Sequence, residues 1–428
     1  MIPDLFGEAV PNNMTSPAFL TSTATHPSAR GPAPARRGLI LLLITFLIAL
    51  ATPVLGDDSA TSFEAQIDRD LIEAVAAGKP GRAAAALKAG ASPNARVRPD
   101  GRTALMVAAD HGHAKLASLL LKAGADVNGR SGDGWSALMQ AAYGRHGDVA
   151  RVLLDASAAT DLREDKYGNT ALLIATRRGA DRTVVALLDH GADPNVQDHA
   201  DGNTPLINAA SAPFGLAASI ADTLLQAGAA PDVAAHDGFT PLMAAARTGS
   251  LAMVDQLLAA EARVDRQNTS GETALMLAAA SGQTAALDRL LEAGADPSIQ
   301  NAKGNTAICL AIDSRARQSV DQLIATGEDE VLTTRCRDGL PPIARAAKLG
   351  DAQLVDRLLA AGVDPDQPGA DGSTALMWAA NRGAAGAVHR LLDAGASPTA
   401  QAKDGWTPQK AAQMLGDTEI LRLLEQAN

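Results

Sequence analysis

Residues 238–260 read Gly238-Phe239-Thr240-Pro241-Leu242-Met243-Ala244-Ala245-Ala246-Arg247-Thr248-Gly249-Ser250-Leu251-Ala252-Met253-Val254-Asp255-Gln256-Leu257-Leu258-Ala259-Ala260. Thr240 can cap orphan N–H groups of a short apolar helix. Pro241 sits in its first turn, where a missing N–H costs nothing. Gly249 breaks the chain, and a second helix follows with the apolar pair Leu257-Leu258.

The pattern recurs along the chain. A glycine followed two residues later by Thr, Ser or Pro stands at Gly101, Gly134, Gly168, Gly202, Gly238, Gly271, Gly304, Gly339, Gly372 and Gly405, with spacings of 33, 34, 34, 36, 33, 33, 35, 33 and 33. Asp-Gly at 100–101, 133–134, 237–238, 371–372 and 404–405 suits a tight hairpin tip. A unit of two short helices is too thin to bury its own apolar face, so units must stack.

These residues resemble the ankyrin repeat family. The resemblance covers 67–428: an N-terminal capping unit (Leu71, Ile72, Val75, Gly90-Ala91-Ser92), nine full repeats and a truncated last one. It implies an all-α solenoid of helix-turn-helix units with β-hairpin fingers and a concave face that binds another protein. Three departures stand out. Met106, Met139, Met243, Met276 and Met377 replace the family's His after the helix start, which removes a hydrogen bond and adds apolar packing. The Gly202 repeat carries an insertion around Pro213-Phe214-Gly215. The Gly304 repeat degenerates near Gly327-Glu328-Asp329 and is expected to be the weakest layer.

Upstream, the composition changes. Residues 1–38 read as an unstructured leader with the basic pair Arg36-Arg37, and 39–56 as the apolar core and cleavage site of a secretory signal. Cleavage is expected before Asp57, with 57–66 a linker; the alternative is a membrane anchor formed by 39–56. Translation from Met14 and export by the twin-arginine route remain open. The expected location is the periplasm.

Lys and Arg total 37 against 48 Asp and Glu, a net charge of −11. That balance excludes general nucleic-acid binding, which needs basic surface to displace counterions. The glycines follow the repeat and form no phosphate loop, and no nucleophile–His–acid set stands in a suitable context, so neither catalysis nor a cofactor is expected. His111-Gly112-His113 reads as a helix junction before it reads as a metal site. Asp198-His199-Ala200-Asp201 reads as a solvated tip. Cys309 takes the family's His position and Cys336 lies in the next finger; free thiols are the default, though an oxidising compartment permits a disulfide.

What remains is the placement of rare large side chains. Only 3% of residues are aromatic. In the family, partner contacts come from finger tips and first-helix ends. Trp135, Phe239 and Trp406 follow anchor glycines, Tyr167 precedes one and Tyr143 lies nine after one, whereas Trp378 is assigned to the core. Exposed rings at such places suit a partner interface. Arg177, Arg178, Arg247, Lys348 and Arg382 share the helix-end positions with Asp110 and Asp313, a basic stripe suited to an acidic partner. The resulting expectation is a monomeric, non-catalytic, exported interaction scaffold. The alternative is an inhibitor or immunity-type protein using the same face, touching the membrane only if the leader stays uncleaved.

Overall fold

First helices such as Ala104–Asp110 and Ala274–Ala280 have seven residues, too few to persist alone in water. What holds them is burial on almost every side: Ala104 through Ala109 are all buried. A helix wedged between two neighbours can carry few large side chains, which accounts for the alanine-rich, ring-poor composition. Second helices bury one stripe only, as Leu116, Ala117 and Leu120 do in Ala114–Lys122.

In this computed structural model, residues 58–212 and 217–427 are described. The expectations for 1–38, for 39–56 and for Pro213-Phe214-Gly215 lie outside them. A capping pair, Asp58–Ala76 and Pro80–Lys88, is followed by ten repeats, each with two helices except the Gly304 repeat, which has three. The stretch 57–66, expected to be a linker, is helical from Asp58 on, as the first part of the helix that buries Leu71, Ala74 and Val75. The last unit, read as truncated, keeps both helices, Pro408–Leu415 and Thr418–Gln426. The Gly304 repeat has Ala307–Asp313 and Arg317–Ala325, and its irregular tail forms a short third helix, Asp329–Thr333.

Helix starts follow the sequence logic, with one revision. The hydroxyls of Thr103, Ser136, Thr170, Thr204, Thr240, Thr273 and Thr407 accept from the N–H three residues on. At Thr103 and Thr240 the backbone N–H in turn donates to the sulfur of Met106 and Met243, 3.4 Å away. Met106 and Met243, two of the five, therefore keep a weak version of the hydrogen bond they were expected to lose, because a thioether can still accept. Gly249 turns the chain at φ 75° with the Gln283 side chain packed over it, so a Cβ there would push the Gln283 amide aside and take a backbone conformation that L side chains rarely adopt.

The fingers are tight turns, closed by bonds such as Ala235 N–H to Phe239 O at 2.9 Å. Among the described residues the one isolated β-bridge pairs Arg96 with Thr103. Neighbouring tips are tied by backbone bonds, among them Gly132 N–H to Asp100 O, Asp165 to Asp133, His199 to Tyr167, Thr269 to Asp237 and Lys403 to Asp371. At the step from Gly304 to Gly339 the Arg337 N–H donates to the Asn305 side-chain oxygen instead. A second ladder runs through side chains one layer up: Arg96, Arg163, Gln197 and Gln267 each bond the carbonyl of their own anchor glycine and a carbonyl of the next finger.

Candidate partner-binding face

The residue after an anchor glycine and the residue eight further on meet in space, repeat after repeat. Arg102 pairs with Asp110 at 3.2 Å. Trp135 meets Tyr143 edge to face at 5.9 Å between ring centres. Asn169 accepts from the Arg177 guanidinium at 3.3 Å, and the Arg247 guanidinium lies 4.7 Å from the Phe239 ring centre. Finger tip and first-helix end thus form one column per repeat, and stacking sets the columns side by side.

Columns also join. Arg178 reaches back one repeat, its guanidinium 4.5 Å from the Tyr143 ring centre and its Nε donating to the Tyr143 carbonyl at 3.1 Å. Trp378 and Trp406 meet edge to face at 5.1 Å, and the Lys348 ammonium sits 4.3 Å from the Trp378 ring. Such contacts each stabilise by roughly 0.5–1 kcal/mol.

The rings are therefore not presented as the sequence suggests. Trp135, Tyr143, Phe239 and Trp406 are half-buried on their neighbours, and Tyr167 alone of the five is exposed, at 41%. Trp378, assigned to the core, is also half-buried, because Ser373 takes its indole N–H at 3.0 Å and leaves one edge outward. Among the basic residues, Arg177 also reaches the buried Asp198 carboxylate at 3.5 Å, while Arg382 is exposed.

His111, His113 and His146 make contacts within the repeat framework. The His113 ring packs over Gly78, and His146 Nε2 lies 3.0 Å from the Asp110 carbonyl across the repeat boundary. His111 Nδ1 lies 2.9 Å from the Val107 carbonyl. Among the described residues no group of three or more His, Cys, Asp or Glu is placed to hold a metal.

Sequence reasoning missed the richest polar site, at the join of the Gly304 and Gly339 repeats. Arg345, buried in the helix Pro342–Lys348, grips Asp313 with two bonds of 2.6 and 2.7 Å and Asp338 with one of 2.6 Å. Lys348 shares Asp338 at 3.1 Å. Burial opposes the charge on Asp338, but the hydrogen bond from Lys348 and the charges of Arg345 and Lys348 outweigh it and hold the carboxyl below its ordinary value. Burial likewise works against the Arg345 charge, and the Asp313 and Asp338 carboxylates more than compensate. Arg317 adds a 2.9 Å bond to the buried Asp351. Cys309 and Cys336 are joined in a disulfide behind this site, where free thiols were the default expectation; the finger turn brings their Cα atoms to 5.7 Å. A signal was available in the sequence: Arg345 is a charge at a position where the other first helices carry uncharged residues, Val107, Gln140, Ile174, Asn208, Ala244, Leu277, Leu310, Trp378 and Ala411.

Across the boundary lies a cleft of about 370 Å³, lined by Arg315, Arg337, Asp338, Arg345, Lys348, Leu349 and Arg382.

No curated protein shows a significant sequence match to the chain. A family model of three ankyrin repeats matches it seven times in overlapping windows, 71–164, 127–198, 157–234, 206–301, 252–336, 276–368 and 343–428. With paired helices, turn-like fingers and column geometry repeating through that whole span, the chain belongs to the ankyrin repeat family.

Proposed function

We propose that this repeat array, a protein-interaction scaffold by family, acts after export and grips its partner on the face formed by finger tips and first-helix ends. The column geometry carries the reading: variable residues at two fixed positions per repeat, Trp135 with Tyr143, Phe239 with Arg247, Asn169 with Arg177, form a strip on a shared framework. Half-buried rings held by neighbours are preorganised, so a partner covering them loses little side-chain entropy. Arg177, Arg178, Arg247, Lys348 and Arg382 favour a partner with carboxylates on its contacting surface. Export rests on Arg36-Arg37, the apolar run to Ala51 and the small residues before Asp57. Among the described residues no helix is long and apolar enough to cross a membrane.

The test is capture from the exported fraction with the full chain and with a Trp135→Ala/Phe239→Ala variant. A partner retained by the first and lost by the second supports the reading; equal capture sends the search to another surface. If the captured protein is an enzyme, its activity when bound separates scaffold from inhibitor. An N-terminus near Asp57 on the cellular protein supports cleavage, and peptides from 14–50 on it would refute cleavage.

A further inference from the structure

The cleft between the Gly304, Gly339 and Gly372 repeats reverses the charge of the molecule around it. Five of its lining residues are cations, against one carboxylate, Asp338, in a chain of net charge −11. Arg345 and Lys348 are engaged with Asp338. Among the described residues, no carboxylate pairs with Arg315, Arg337 or Arg382, all three of them exposed; Arg315 makes one bond, to the Leu349 carbonyl at 3.3 Å.

Two further features show how the cations are placed. Arg315 stands at φ 59°, at a turn where the corresponding position is Gly112, Gly179, Gly249, Gly282, Gly350, Gly383 or Gly416 in other repeats, Arg145 being the second exception among the described residues. A left-handed arginine costs about 1 kcal/mol over glycine and persists where its surroundings fix it. Arg337 follows Cys336, so the disulfide and the Asn305 side chain set the finger that carries it. The cleft opens beside the Trp378–Trp406 pair, with Lys348 touching both the cleft and the Trp378 ring.

We propose that this cleft is the acidic-segment site of the partner-binding face: it seats an extended stretch of several neighbouring carboxylates from the partner, with Arg315, Arg337 and Arg382 as ligands. The proposal rests on the interaction reading above. The spread of the cations selects this ligand class. They come from three successive layers, and packed helices lie roughly 8–10 Å apart, so the row spans about 20 Å. An extended peptide advances about 3.3 Å per residue, so about six residues cover it. A single phosphate would meet one layer or two. Guanidinium forks match carboxylates two bonds at a time, and the adjoining indoles supply contact area for the segment's stems.

The experiment titrates fluorescein-labelled hexaglutamate with the full chain at about 50 mM salt and reads fluorescence anisotropy. Saturable binding is expected, weakened at least about tenfold by Arg337→Glu/Arg382→Glu. Both changes are at exposed positions, and melting curves check that the variant is folded. Arg151→Glu/Arg182→Glu, the same charge change on second helices outside the cleft, should stay within about twofold. Absence of hexaglutamate binding overturns the proposal. So does equal loss in the control pair, which would mean general charge attraction. Displacement of the peptide by equimolar inorganic pyrophosphate would overturn it as well, reassigning the cleft to phosphates. The two readings fail separately: partner capture without hexaglutamate binding removes the cleft alone, and hexaglutamate binding without partner capture removes the interaction face alone.

Discussion

The Gly134–Gly168 join and the Gly304–Gly339 join hold the same fold together by different physics. In the first, backbone bonds tie one finger tip to the next, and the Trp135–Tyr143–Arg178 stack bridges the layers. In the second the tip-to-tip backbone bond gives way to Asn305, and in its place stand a disulfide, a buried arginine between two carboxylates, and the Arg317–Asp351 pair. Regular repeats stack through contacts that every repeat possesses, each worth little. An irregular repeat loses some of these and is held by a few strong, specific bonds. Stability at the second join is therefore concentrated, and single changes there should matter more.

The largest contrast concerns the disulfide. It closes a loop of 27 residues, for which chain entropy suggests roughly 3 kcal/mol. With the disulfide intact, hydrogen exchange around 308–331 should match that of the flanking repeats. In a Cys309→Ala/Cys336→Ala variant those amides should exchange first, and one cooperative melt should split into two. An unchanged exchange profile in the variant would remove the distinction between the joins.

Next comes Arg345. Replacing it with Met keeps most of the volume but strands Asp313 and leaves Asp338 with Lys348 alone, each carboxylate about a quarter exposed. The expected loss is about 2 kcal/mol, below the usual range for a fully buried pair because water reaches both carboxylates. Arg178→Met at the other join removes one ring contact and one hydrogen bond to a carbonyl, and should cost about 1 kcal/mol. Equal losses in urea midpoints would show that the two joins share their load alike.

A smaller difference separates helix starts. Thr240→Val should cost about 1 kcal/mol, since its hydroxyl caps Met243 N–H at 3.2 Å. Thr374→Val should be neutral or slightly stabilising: the Thr374 hydroxyl is buried and, among the described residues, has no partner. Matching losses at both would mean that the two hydroxyls are equivalent.

How much of this could be read beforehand follows the same division. Whatever recurs every 33 residues was legible: the capping threonines, Pro205, Pro241 and Pro408 in their first turns, the left-handed glycines and the positions of the columns. What happens once was not. The Gly304 repeat looked weak because its pattern broke, and the sequence could not show that Arg345 reaches two carboxylates, 32 residues back and seven back, at once. Nor does composition reveal that a ring at a finger tip packs against its neighbour: Trp135 and Phe239 sit at the expected positions, yet Tyr143 and Arg247 cover them. The Arg–Gln ladder along the fingers was visible as a period and went unread, since charge at a tip suggests solvent before it suggests carbonyl partners.

The smallest effect, in acid, can tell the two kinds of carboxylate in the C-terminal half apart. Asp338 is held below its ordinary value: burial opposes its charge, but the Lys348 hydrogen bond and the Arg345 and Lys348 charges prevail. Folding thus favours its ionised form, and its contribution is complete above the unfolded carboxylate value of about 4 and lost as pH falls through the lowered folded value. Asp366 is raised, chiefly by burial, with the Ser397 N–H opposing and the Asp364 charge adding. Folding disfavours its ionised form, so its cost is present at neutral pH and is relieved as pH falls through the raised value. Asp338→Asn should therefore lower stability at pH 7 and flatten the acid limb below about pH 4, whereas Asp366→Asn should leave neutral stability equal or higher and change the limb above it. Urea midpoints at pH 7, 5, 4 and 3 measure both. If Asp338→Asn leaves the acid limb unchanged, Asp338 contributes through packing and not through charge, and the concentrated-bond account of the Gly304–Gly339 join rests on the disulfide, the Arg345–Asp313 bonds and the Arg317–Asp351 pair.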